Sequence, residues 1–147
     1  MLRESIAADM REAMKSREQL RVATLRMLMS AVKNTEVEKL HELSDDEVLE
    51  VITREAKRRR ESIEAFRQGG RDDLVEKESG ELAVLEAYLP AQLTDDELAA
   101  MVGEAIAETG ATSPKQMGEV MKALMPKVRG RADGGRVSAL VKSKLGA

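Results

Sequence analysis

The sequence predicts an all-α fold: an N-terminal four-helix unit over residues 1–92, followed by a smaller C-terminal three-helix domain over residues 93–147. Three observations support this. The apolar residues are mostly Leu, Ala, Met and Val and the charged ones Glu, Lys and Arg, largely strong helix formers, while β-favouring aromatics make up 1 %. Helix-start signatures recur along the chain. Apolar residues repeat at helical spacing almost throughout. The 42 % of hydrophobic residues suffices for a core, so the 35 % of charged residues does not signal disorder.

The first helix is predicted from Leu2, Ile6, Met10, Ala13 and Met14. A second follows from Val22, Leu25, Met29 and Val32. Ser44-Asp45-Asp46-Glu47 reads as a capping box, in which the serine oxygen and the glutamate carboxylate each take an orphan N–H. The helix it opens turns Val48, Ile52, Ala56, Ile63 and Phe66 inward and stops near Gly69-Gly70. Asp72 is predicted to cap a fourth helix holding Leu74, Leu82 and Leu85, which ends before Tyr88-Leu89-Pro90. Thr94-Asp95-Asp96-Glu97 is a second capping box, opening a helix with Leu98, Met101, Val102 and Ile106 that closes near Gly110. Ser113-Pro114 with Gln116 reads as a third. Met117, Val120, Met121 and Leu124 form one face of the helix it opens, with Lys115 and Lys122 nearly opposite, and Pro126 is predicted to break it. Asp133 is predicted to cap the last helix, with Val137, Leu140, Val141 and Leu145 inside.

Composition excludes several chemistries. The chain has no Cys, no Trp, one His, one Tyr and one Phe. Zinc ribbons, iron–sulfur clusters, disulfide scaffolds and cysteine nucleophiles need thiols. Base-stacking RNA modules need more rings. His41 sits at a frayed helix end, a poor place for a precisely held base. Glu38-x-x-His41 matches half of a di-iron bundle motif, but a single histidine cannot supply the second half. No catalytic residue, metal or cofactor is therefore expected. Nothing reads as a membrane span, and the acid-bearing N-terminus reads as neither a signal nor a transit peptide, so cytoplasmic residence is the expectation.

Charge is unevenly spread. Residues 114–147 hold eight Lys/Arg and two acids, a net of +6, while residues 1–113 carry a net of −9. A basic end on an acidic body can direct a chain toward nucleic acid. The run Lys127-Val-Arg-Gly-Arg-Ala-Asp-Gly-Gly-Arg136 is expected to be a glycine-containing link whose bases project together. Lys115, Lys122, Lys142 and Lys144 flank it, and the next helix offers free N–H groups to phosphate. With Lys127, Arg129, Arg131 and Arg136 these form the candidate nucleic-acid contacts. Lacking rings, they would read backbone and shape. Lys57-Arg58-Arg59-Arg60 wraps round its helix among glutamates and reads as a salt-bridged face.

Four charges fall on apolar stripes of the first unit: Glu36, Glu55, Arg59 and Glu78. They are expected to form a buried polar layer with Arg59 forked between carboxylates, because a core charge must be paired.

Several strings resemble the YqeY family: Lys57-Arg-Arg-Arg-Glu-Ser-Ile-Glu-Ala-Phe66, Gly70-Arg-Asp-Asp-Leu74, Glu86-Ala-Tyr-Leu-Pro-Ala-Gln-Leu93 and Met117–Gly134. Gly118-Glu-Val-Met121 and Gly130-Arg-Ala-Asp133 also resemble the C-terminal tail of the B subunit of glutamine-dependent tRNA amidotransferase. The resemblance implies a helical domain followed by a three-helix tail that holds tRNA. It also implies a label of carbon–nitrogen ligase with glutamine as amido-N-donor, by domain membership alone. The kinase-like and glutaminase portions of such an enzyme are not recognisable here. The expected role is thus a tRNA-handling accessory module. The alternatives are a protein-interaction module docking on a synthetase or amidotransferase, and an accessory enzyme of amide transfer. A monomer is expected.

Overall fold

A computed structural model describes residues 1–146. They form seven α-helices and one 3₁₀ turn: α1 (Leu2–Lys15), α2 (Gln19–Lys39), α3 (Asp45–Gln68), α4 (Asp72–Glu86), α5 (Asp95–Thr109), the 3₁₀ turn (Pro114–Gln116), α6 (Met117–Val128) and α7 (Gly134–Lys144). No strand occurs among the described residues, so the chain is all-helical. It divides into two compact units, Met1–Pro90 and Ala91–Ala147. No helix among the described residues is long and apolar enough to cross a membrane.

In the first unit α3 packs chiefly on α4, and α2 meets α1, α3 and α4. Ser44 Oγ accepts from Glu47 N at 3.2 Å and Glu47 Oε1 accepts from Ser44 N at 3.0 Å, fixing where α3 starts. Gly70 ends the exit turn at φ +69°, a left-handed conformation that side chains resist. The core joins Ile6, Leu25, Leu28, Val32, Val48, Ile52, Ala56 and Leu85. Three details differ from expectation. The buried face of α2 runs through Thr24, Leu25, Leu28 and Val32, with Val22 and Met29 only half-buried. Met14 is 52 % exposed, because α1 turns Ile6 and Ala13 inward instead. Asp72 does not cap α4 but is its first residue, where its charge favours the helix dipole.

In the second unit Thr94 and Glu97 form the capping box of α5, and Gly110 closes that helix in the left-handed region. The third expected box is displaced. The Ser113 side chain makes no cap bond; the Gln116 side-chain Oε1 instead accepts from Thr112 N at 2.7 Å, and a 3₁₀ turn precedes α6. Pro126 does not break α6, which continues to Val128. Its missing N–H costs one bond at the last turn, and Arg129 N still reaches Met125 O at 2.9 Å. Asp133 caps α7 by accepting from Arg136 N. The core joins Leu98, Val102, Val120, Leu124, Val128, Val137 and Val141.

Candidate functional site

The first unit holds a buried ion network. Arg59 is 7 % exposed, Glu55 9 % and Glu81 7 %. Arg59 Nη1 donates to Glu55 Oε2 at 3.4 Å, and Arg59 Nε faces Glu81 Oε2 at 3.4 Å without hydrogen-bond alignment. Arg59 Nη2 points at Met27 Sδ, 3.8 Å away. Arg58 Nη1 reaches the same Glu55 oxygen at 3.4 Å from the exposed side. Arg60 leaves the network and pairs with Glu86 at 2.9 Å.

The expected layer is only partly assembled. Glu55 and Arg59 lie together, and Glu78 lies beside Glu81. Glu36 does not join them. Its Oε1 pairs with Arg3 at 3.1 Å and its Oε2 accepts from Leu43 N at 3.0 Å. The Leu43 N–H, and then Arg3, hold its carboxyl below the usual range. Glu36 sits one turn from the end of α2, so the loop after that helix claims it rather than the middle of α3. Glu81 was the missed member. The signal was its position four residues before buried Leu85 and three after Glu78, on one helical stripe.

Glu78 is half-buried. Burial first, and repulsion by Glu81 second, raise its pKa. The folded state therefore binds this proton more tightly than the unfolded one. Stability contributed by it is present below the unfolded value of 4.5 and is lost as pH rises through the raised folded value. Glu78→Gln is expected to raise the urea midpoint at pH 7, with the gain vanishing near about pH 4. Equal midpoints at pH 7 would mean that water, not Glu81, dominates its surroundings.

In the second unit the acids of α5 answer the bases of the basic end. Arg136 pairs with Asp95 and reaches Leu93 O at 3.5 Å. Lys127 Nζ lies 3.6 Å from Glu108 Oε2. Arg131 Nε donates to Ala91 O at 3.0 Å, and Lys144 Nζ to Ala99 O at 3.1 Å. Arg129 is half-buried. The expected ten-residue link shrinks to residues 129–133, since Lys127 belongs to α6 and Arg136 to α7. The N–H of Arg136 at the start of α7 is already taken by Asp133. Lys115, Lys122 and Lys142 are exposed, and their side chains make no ion pair or hydrogen bond among the described residues. His41 is exposed just beyond α2, and no group of His, Asp and Glu among the described residues is placed to hold a metal ion.

These features define a helical protein with a buried ion network in one unit and three exposed, unpaired lysine side chains among the described residues of the other. The Yqey-like protein family model matches residues 3–145, and the chain belongs to the YqeY family. It is similar to proteins named "Altered inheritance of mitochondria protein 41, mitochondrial". The Eremothecium gossypii protein is 34 % identical over 84 residues, covering 56 % of this chain and 46 % of that protein. The Kluyveromyces lactis protein is 35 % identical over 85 residues, covering 57 % and 46 %. The Pyrenophora tritici-repentis protein is 30 % identical over 148 residues, covering 97 % and 80 %. The chain thus spans about half the length of the first two relatives. Their names correct the expectation of cytoplasmic residence. That expectation rested on finding no targeting segment in the sequence, whereas the relatives' names state a mitochondrial residence.

Proposed function

We propose that this protein is an accessory, non-catalytic module that handles tRNA, with the work divided between a four-helix body and a three-helix tail. The observation that supports it is the trio Lys115, Lys122 and Lys142, exposed and unpaired in a unit that otherwise ties up its cations. Free lysines displace counterions from phosphate, which supplies affinity without base reading. The chain offers no ring in this unit on which a base could stack. The proposal moves the contacts away from the arginines of residues 129–136, because Arg131 and Arg136 hold backbone carbonyls of their own unit.

Reversing Lys115, Lys122 and Lys142 to Glu is expected to weaken tRNA retention and to reduce the slope of log affinity against log salt by about one per lost phosphate contact. Filter binding across about 50–200 mM salt reads both quantities. Arg131→Glu is expected to lower the thermal midpoint of the second unit instead. Unchanged retention and slope in the triple variant would reject the proposal.

A further inference from the structure

We propose that the outer face of α2 docks an acidic amphipathic helix of a partner protein. This is independent of the tRNA reading, which uses lysines of the other unit. α2 buries Leu25, Leu28 and Val32, and its opposite side is left uncovered. Met27 on that side is 52 % exposed. Two hollows follow one another along it. One, of about 390 Å³, is floored by Met14, Val22 and Ala23. The other, of about 560 Å³, lies between α2 and α3 and is floored by Met27 and Ala31. Positions 23, 27 and 31 are one turn apart, so Ala23 of the first floor and Met27 and Ala31 of the second follow one another along a single line of α2. From Gln19 to Glu38 it runs about 30 Å, the length of a helix of about 20 residues.

The rim of this strip is cationic. Arg17 and Arg26 border the first hollow, and their side chains make no ion pair or hydrogen bond among the described residues. Arg54 and Arg58, one turn apart on α3, border the second. Among the described residues the Arg54 side chain hydrogen-bonds Thr35 Oγ1 at 3.5 Å, and Arg58 pairs with Glu55. The carboxylates lining either hollow are Glu38 and the buried Glu55. An apolar floor between cationic edges is complementary to a helix with an apolar ridge and acidic flanks. Methionines suit such a floor, because the flexible thioether moulds to whatever ridge arrives. A nucleic acid would answer the rim but not the floor, which has no ring to meet a base. A second copy is disfavoured, since a two-fold pairing of this face sets one cationic rim against another.

The test uses the full chain and a fluorescent peptide of about 18 residues, with leucines at helical i, i+3, i+4 and i+7 spacing and glutamates beside them. One control peptide carries lysines for the glutamates, and another serines for the leucines. The glutamate peptide is expected to bind at least roughly tenfold more tightly than either control. Backbone NMR shifts are expected on α2 and the middle of α3. Arg26→Glu with Arg58→Glu is expected to weaken binding by a similar factor while helicity stays constant. The proposal is overturned by equal affinity of the three peptides, by no saturation at about 1 mM, or by shifts elsewhere. It is equally overturned if a single-stranded RNA displaces the peptide from the same amides, or if sedimentation shows a dimer that Met27→Glu dissolves.

Discussion

Replacing Arg59 by methionine is expected to destabilise the N-terminal unit by about 3–5 kcal/mol, the usual consequence of removing one partner from a buried ion pair. Methionine keeps most of the arginine stem, so cavity formation is a minor part of the loss. The larger part is electrostatic. Glu55 and Glu81 are each less than a tenth exposed, and without Arg59 two carboxylates remain away from water with no buried cation. Arg58 compensates poorly, because it reaches Glu55 from the exposed side and does not pair with Glu81. Urea unfolding followed by the single tyrosine, Tyr88, measures the effect in the correct unit. Adding Glu55→Gln and Glu81→Gln is expected to recover most of the loss, since neutral amides cost far less to bury unpaired than carboxylates. A cost below about 1 kcal/mol for the single change would mean that the three groups behave as an exposed pair.

Much of this architecture was legible because it is local. Ser44 and Thr94 with the glutamates three residues on, and Asp133 before two glycines, set helix starts within a single turn. The rotation of each helix was less legible. α2 carries apolar residues on several sides, and only α1, α3 and α4 packed around it decide that Leu28 is buried while Met27 is not. The same gap hid Glu81, whose burial depends on Arg59 reaching it from the neighbouring helix. The charge split misled in a different way. Counting along the chain set a +6 end apart from an acidic body, but the three-dimensional unit begins at Ala91 and includes the acids of α5. Lys127 thereby meets Glu108, and Arg136 meets Asp95. Pairings between residues so far apart in the chain are set by packing, which no running count of charge contains.

The two hydrophobic cores share no residue, and this leads to the other large effect. Leu98→Ala is expected to cost the C-terminal unit about 2–5 kcal/mol, because Leu98 is fully buried between α5 and its neighbours and its removal leaves both lost contacts and a cavity. The chain carries a built-in means of locating that loss. Tyr88 and Phe66, its only aromatic residues, both belong to the N-terminal unit, where the Tyr88 hydroxyl donates to Asp9 Oδ2. Tyrosine fluorescence therefore follows the first unit alone, whereas circular dichroism follows helices of both. In the variant, dichroism is expected to fall in two steps, the earlier one silent in fluorescence, with the tyrosine midpoint where the parent has it. Coincident transitions that shift together would mean that the chain unfolds as one cooperative block, because agreement between independent probes is the mark of two-state unfolding. A separated early step would instead mean that the lysine-bearing unit can lose its structure while Arg59 and its carboxylates stay folded.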